Sequence, residues 1–171
     1  MPQSALYFIT GSPGAGKTTL LKRVVADHYP ALWTGHVDAG DSPGRGTAWI
    51  ERATHPPAGA SSLLVVDGQE RPRLMLQAAR ELGLKALHIL LVDCDHGERR
   101  RRLLEDRKQP ELDHQDVYCW AAYLRGQADA LDLEVLDTTQ QDIATSTAAL
   151  AASIARFATR VGATFTVRSP R

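Results

Sequence analysis

The chain has 171 residues, 43% apolar and 23% charged, with twenty basic side chains matched by twenty acidic ones. This composition suits one compact domain with a full core and excludes a chain dominated by disorder. Zero net charge removes the electrostatic case for nonspecific nucleic-acid binding, so no nucleic-acid partner is expected, although a local basic pocket remains possible.

The first predicted element is an apolar strand, Ala5–Thr10, and a helix follows over Lys17–His28. A second strand is expected at Gly35–Asp38. The stretch Ala39–Ala60, rich in Gly, Pro and Ser, reads as a loop with a short helix near Thr47–Ala53. A third strand covers Ser62–Asp67, and a helix over Arg71–Leu82 stops at Gly83. The fourth strand is Leu87–Asp93. Helices over Asp95–Lys108 and His114–Ala130 come next, the first ending before Pro110. A fifth strand, Leu133–Asp137, precedes an alanine-rich amphipathic helix over Asp142–Val161; the tail beyond Gly162 is not assigned. The runs LLVVD and HILLVD are continuous rather than alternating, which marks strands covered on both faces and hence a parallel sheet. Strands alternating with helices predict an α/β architecture with right-handed crossovers in a single domain spanning 1–171.

Gly11-Ser12-Pro13-Gly14-Ala15-Gly16-Lys17-Thr18 fits the phosphate-binding loop, two glycines four residues apart and then Lys and Ser/Thr. The glycines let phosphate approach the backbone. Successive amides form an anion nest backed by the next helix, which opens through Thr18 and Thr19. Lys17 is expected to reach the β and γ phosphates, and the Thr18 hydroxyl to hold Mg²⁺. A Gly-rich turn that merely caps a helix is the alternative. The strand before the motif and the amphipathic helix after it favour nucleoside-triphosphate binding. No Asn/Thr-Lys-x-Asp guanine motif accompanies the loop, since none of the four lysines sits in one.

With these features the chain resembles the nucleotide-kinase and shikimate-kinase-like P-loop family, from about Leu6 to Leu150. The resemblance implies a three-layer fold with a five-stranded parallel sheet in the order 2-3-1-4-5, and ATP and Mg²⁺ as donor and cation. It rests also on the carboxylates of HVDAGD at the end of strand two. Asp38 and Asp41 match acidic residues that serve the cation and the acceptor hydroxyl, with the division between them open. Asp67 ends LLVVD and is the first choice for the Walker-B carboxylate. Asp67-Gly68-Gln69-Glu70-Arg71-Pro72 is similar to an Asp-Gly-Phe-Pro-Arg stretch whose arginine meets the transferred phosphate, so Arg71 takes that role. On the helix after strand four, Arg102 matches the arginine that packs on adenine, and Arg107 the one in a mobile lid, here about 105–118. Arg99 and Arg100 read as a solvated helix face. Thr138 and Thr139, after strand five, would pass the adenine edge; a helix N-cap is the other reading.

The resemblance implies an ATP-dependent kinase acting on a small hydroxylated acceptor, with Lys17, Arg71 and Arg107 around the γ phosphate and Asp38 or Asp41 orienting the acceptor. The acceptor segment is about 38–60, and Arg45, Trp49, Glu70 and Arg73 are candidate lining residues. A nucleoside or nucleotide kinase and a nucleotide-dependent regulatory module are the competing readings. Trp120 and Tyr123 lie beyond the lid, one expected toward the site and the other toward the core. The six histidines form no metal-spaced pair; His36 reads as a buried strand residue and Cys94 as a small core residue. Two cysteines make no disulfide framework, so a reducing cytoplasm is expected. With no leader pattern and no apolar run long enough to span a bilayer, no membrane association is expected.

Overall fold

A computed structural model describes residues 4–37, 45–57 and 61–163 of the chain, and for Arg45 the backbone alone. Five strands form one sheet: β1 (Ala5–Thr10), β2 (Trp33–His36), β3 (Leu63–Asp67), β4 (Ala86–Asp93) and β5 (Glu134–Asp137). Their spatial order is β2-β3-β1-β4-β5, and every pairing is parallel. The most apolar strand is the central one. All six residues of β1 are buried, between β3 and β4 edgewise and helices above and below. Burying Leu6, Phe8 or Ile9 in this way contributes about 1.5–3 kcal/mol each.

Alternate residues of each strand feed two cores. Tyr7, Ile9, Val65 and Val92 pack under α1 (Lys17–Asp27) and α6 (Ile143–Val161). Leu6, Phe8, Leu64 and Ile89 pack under α2 (Arg45–Thr54) and α3 (Pro72–Glu81). Leu91 continues that second face beneath α5 (Gln115–Ala130), against Leu124 and Ala128. The result is three layers, as expected. Among the described residues no helix is long and apolar enough to cross a membrane.

Three elements depart from expectation. The second strand is Trp33–His36 rather than Gly35–Asp38, because its register pairs Trp33 with Leu64 and His36 with Asp67, where β3 itself ends. Its middle residue, Gly35, lies under the Trp49 ring of α2, where an added Cβ would stand 2.5 Å from the indole. The helix near Thr47–Ala53 is longer, Arg45–Thr54. The helix expected over Asp95–Lys108 is α4 (His96–Arg101) running into a π turn at Arg102–Asp106, in which the Arg107 amide donates to the Arg102 carbonyl at 2.9 Å. Lys108 then turns the chain at φ 52°, and a short 3₁₀ turn at Pro110–Leu112 leads to α5.

Candidate functional site

All five strands point the same way, so their C-terminal ends share one edge. There the loop between β1 and α1 floors a cleft of about 960 Å³. Gly11 passes so close to β4 that a Cβ would meet the Val92 carbonyl at 2.4 Å. Gly16 takes φ 101°, a left-handed conformation that side chains disfavour, and enters α1 with no side-chain cap on its first turn. The first amides of α1 are therefore left for a ligand, at the positive end of the helix dipole. Lys17 is buried beneath the loop and donates from Nζ to the Ser12 carbonyl at 3.1 Å. Burial pushes its pKa down to about 8; the charge of Asp67 pulls upward, and Arg107 and Arg99 push further down.

Beside the loop, Asp67 ends β3 on the face that α1 covers. Thr18 Oγ1 donates to Asp67 Oδ2 at 2.5 Å, and His36 Nδ1 stands 3.1 Å from the same oxygen. Sheet register explains the second contact. His36 and Asp67 are paired positions on adjacent parallel strands, so their side chains rise from the same face. Asp67 is only 3% exposed and His36 is 44% exposed, so the histidine carries this pair out to the cleft. Thr18 lines the cleft and Asp67 is buried behind it; a hydroxyl and a carboxylate so placed are hard oxygen donors of the kind Mg²⁺ takes alongside phosphate oxygens and water.

The opposite wall comes from α4 and the π turn. Arg99 is buried, donating from Nε to Ser12 Oγ at 2.8 Å and from Nη2 to Asp93 Oδ1 at 2.6 Å. Arg102 donates to the Ala15 carbonyl at 3.2 Å, to Thr138 Oγ1 at 2.9 Å and to the Thr138 carbonyl at 2.8 Å. One guanidinium thus bolts the loop to the end of β5. Glu98 accepts from Arg102 and Arg101, whose bonds hold its carboxyl down to about 2 against the opposing effect of burial. Arg107 lines the cleft beyond Arg102, close enough to depress the pKa of Lys17.

No protein-family model matches the chain, and no curated protein matches its sequence. Solved structures match its shape. The crystal structure of APE1195 superposes with a TM-score of 0.55 at 16% identity, covering 91% of this chain and 97% of that one. Shikimate kinase from Acinetobacter baumannii, solved with shikimate, gives 0.53 at 15% identity over 93% and 95%. A de novo designed protein of P-loop NTPase fold gives 0.50 at 11% identity over 90% and 91%. The fold is that of a P-loop NTPase.

Within this P-loop NTPase fold, the cleft brings together Pro13 to Thr19, Arg102, Arg107 and Thr138. Gly11 and Ser12 form the back of the loop. Asp38 and Asp41 lie outside the described residues, as does the Arg45 side chain. Other expected residues stand elsewhere. Glu70 is buried, its carboxylate accepting from the Arg71 amide at 2.9 Å and the Gly46 amide at 3.3 Å, so it ties α2 to the end of β3. Arg71 precedes α3 at the N-cap position without a side-chain cap bond and is exposed, as is Arg73, and neither lines the cleft. Trp49 is spent on Gly35 and on Arg52, whose guanidinium lies 4.9 Å from its ring. Thr139 turns its hydroxyl to the Asp95 amide at 2.9 Å, away from the cleft. The N-cap in this region is Asp142, which accepts from the Thr145 amide at 2.7 Å.

Trp120 half-buries against Leu91, Leu124 and Ala128, and Tyr123 stacks on it at 5.3 Å; neither lines the cleft. Cys94 is a buried core residue whose thiol burial pushes up in pKa. Arg99, His36 and Gln69 are among the cleft or loop residues that were not anticipated, as are Glu98, Arg101, Gln141 and Asp142 on the cleft walls. Arg99 is buried rather than solvated, and its place three residues before Arg102, on the same helix face, was the available signal. His36 and Gln69 line the cleft from the ends of β2 and β3.

Proposed function

We propose that this chain is an ATP-dependent kinase that transfers a γ-phosphoryl group to the hydroxyl of a small molecule. The observation that carries this reading is the contact between Thr18, which lines the cleft, and the buried Asp67 behind it, beside a buried Lys17 and uncapped helix amides. That set of groups recognises a polyphosphate with its cation. Two further features favour transfer over simple binding. The cleft volume lies at the upper end of the ~300–1,000 Å³ usual for ligand pockets, enough for a donor and a small acceptor. Its wall carries Arg107 on a segment, 105–118, that joins α4 to α5 and is suited to excluding water. Similarity in shape to a shikimate kinase is consistent with a small hydroxylated acceptor.

In this mechanism the first amides of α1 and the Lys17 ammonium hold the β and γ phosphates. Mg²⁺, which the Thr18 hydroxyl and the Asp67 carboxylate would hold, would supply charge neutralisation. Arg107 adds positive charge from the wall, without the Arg71 expected beside it. Arg99 and Arg102 fix the loop rather than touch the reacting atoms. The acceptor enters from the side of His36 and Gln69, and Asp38 or Asp41 would orient its hydroxyl. Phosphoryl transfer asks little more than this positioning and electrostatic stabilisation.

The test has two stages. Calorimetry with Mg²⁺ and ATP should show binding that Lys17→Ala weakens by about a hundredfold, the order expected when a charged donor to a phosphate is removed. A panel of sugars, hydroxy acids, nucleosides and nucleotides is then screened for acceptor-stimulated ADP release. Failure of the folded protein to bind either ATP or GTP would end this reading. Binding with no stimulation across the panel would favour a regulatory module.

A further inference from the structure

Three groups converge at the end of the sheet beside the P-loop: the hydroxyl of Thr18, the carboxylate of Asp67 and the imidazole of His36. The first two are ordinary for such a cleft, and the histidine adds nitrogen to an oxygen set. We infer that His36 is a direct nitrogen ligand of the cation that accompanies the polyphosphate, so that the site prefers first-row divalent cations such as Mn²⁺ and Co²⁺ to Mg²⁺. This inference rests on the proposed reading of the cleft as a nucleotide and cation site.

Geometry carries it. Two ligands held about 2.1 Å from one cation and at right angles stand about 3 Å apart. His36 Nδ1 and Asp67 Oδ2 stand 3.1 Å apart. Without a cation, Nδ1–H donates to the carboxylate at that distance, and a bound cation would take the place of that proton between the two atoms. Position is fixed from behind. Trp49 covers Gly35, the residue before His36, and the Val37 amide after it donates to the Asp67 carbonyl at 2.9 Å. The ring therefore lies against the carboxylate through backbone register and not through side-chain freedom alone. Its exposed side lines the cleft, which leaves the cation reachable by phosphate oxygens.

Chemistry gives the preference. Imidazole adds affinity for first-row metals that is weakest for Mn²⁺ and rises through Co²⁺, whereas Mg²⁺ demands near-ideal octahedral geometry and keeps several waters. Among the described residues no three His, Cys, Asp or Glu side chains gather into a metal-binding group. The cation would thus be held by two side chains and the Thr18 hydroxyl, completed by phosphate oxygens and water. Such a site is not a resident metal centre: the cation arrives with the nucleotide.

The test is pulsed electron paramagnetic resonance on the full chain with Mn²⁺ and ADP. Protein grown with ¹⁵N-histidine should show a directly bound histidine nitrogen, which natural-abundance protein shows as ¹⁴N; nitrogen from the adenine ring cannot follow that label. His36→Gln and His36→Asn should both lose the coupling. The asparagine variant, with oxygen near the place of Nδ1, should still bind Mn²⁺·ADP. In the glutamine variant Mn²⁺ affinity should fall about tenfold or more relative to Mg²⁺, the least that loss of a supporting partner costs a metal site. Bound Mn²⁺·ADP with no histidine coupling would overturn the inference and leave the kinase reading standing. Absence of any Mn²⁺·ADP or Mg²⁺·ADP complex would overturn both.

Discussion

Arg99 illustrates how a single side chain governs the loop without touching a ligand. It is 4% exposed and pairs with Asp93 at 2.6 Å while holding Ser12. Asp93 is 15% exposed and keeps a second partner, Arg125 at 3.6 Å, so the loss of Arg99 is compensated in part. Arg99→Met should therefore lower unfolding free energy by about 1–3 kcal/mol in urea titrations, with weakened nucleotide binding as a secondary effect. Arg100, one residue on, is 59% exposed in its pair with Asp113, and its replacement by Met should leave the urea midpoint unchanged. In the sequence these two arginines read alike, because a charge run carries no sign of which member turns inward. Glu70 was misread for a related reason. A carboxylate beside a phosphate loop suggests chemistry, but this one satisfies two backbone amides that the meeting of α2 with β3 would otherwise leave unbonded. By contrast, the positions of Lys17 and Thr18 were legible from the strict strand–loop–helix spacing, and that of Asp67 from its place at the end of the apolar run LLVVD.

Elements show a similar division. Continuous apolar runs located β1, β3 and β4 to within a residue or so, and Pro72 and Gly83 marked the limits of α3. The error in β2 came from register. Nothing local to Gly35 reveals that Trp33 pairs with Leu64, and the strand begins two residues earlier than its composition suggests. The π turn was equally hidden, because Arg102–Asp106 has an ordinary helical composition. Packing of α2 on β2 offers a sharp test. Gly35→Ala places a methyl 2.5 Å from the Trp49 ring and should cost about 1–3 kcal/mol by overpacking. On a Trp49→Ala background the same change should cost almost nothing. A double-mutant cycle in denaturant checks this, and additive costs would show that the two residues do not compete for one space.

For the molecule as a whole, layer count, parallel sheet and cleft edge were all legible, because alternation of strands and helices leaves few ways to cover a sheet on both sides. Strand order came from the resemblance and not from any apolar pattern. A polar chain running through one core was not foreseen. Tyr7 donates to Ser153 at 2.7 Å, Ser153 donates to Glu134 at 2.8 Å, and His88 Nε2 lies 3.0 Å from the same carboxylate. Burial pulls the His88 pKa below its ordinary 6.5, aided by Arg160 and Arg156 and opposed by Glu134. The unfolded chain therefore binds a proton at this site at a higher pH than the folded one. Stability contributed here is present above about pH 6.5 and lost as pH falls through the lower folded value. Urea midpoints should drop between pH 7 and pH 5, and His88→Gln should flatten that slope; an unchanged slope would show that His88 titrates alike in both states. The sheet's outline has one more consequence. Its outermost strands, β2 and β5, are four residues each against eight in β4. A boundary strand presents unmet amides and carbonyls to any extended chain that drifts past. Four residues, flanked on β5 by the charges of Glu134 and Asp137, give such a chain too short a template to grow on, so crowded solutions of this protein have little to nucleate cross-β aggregation at that border.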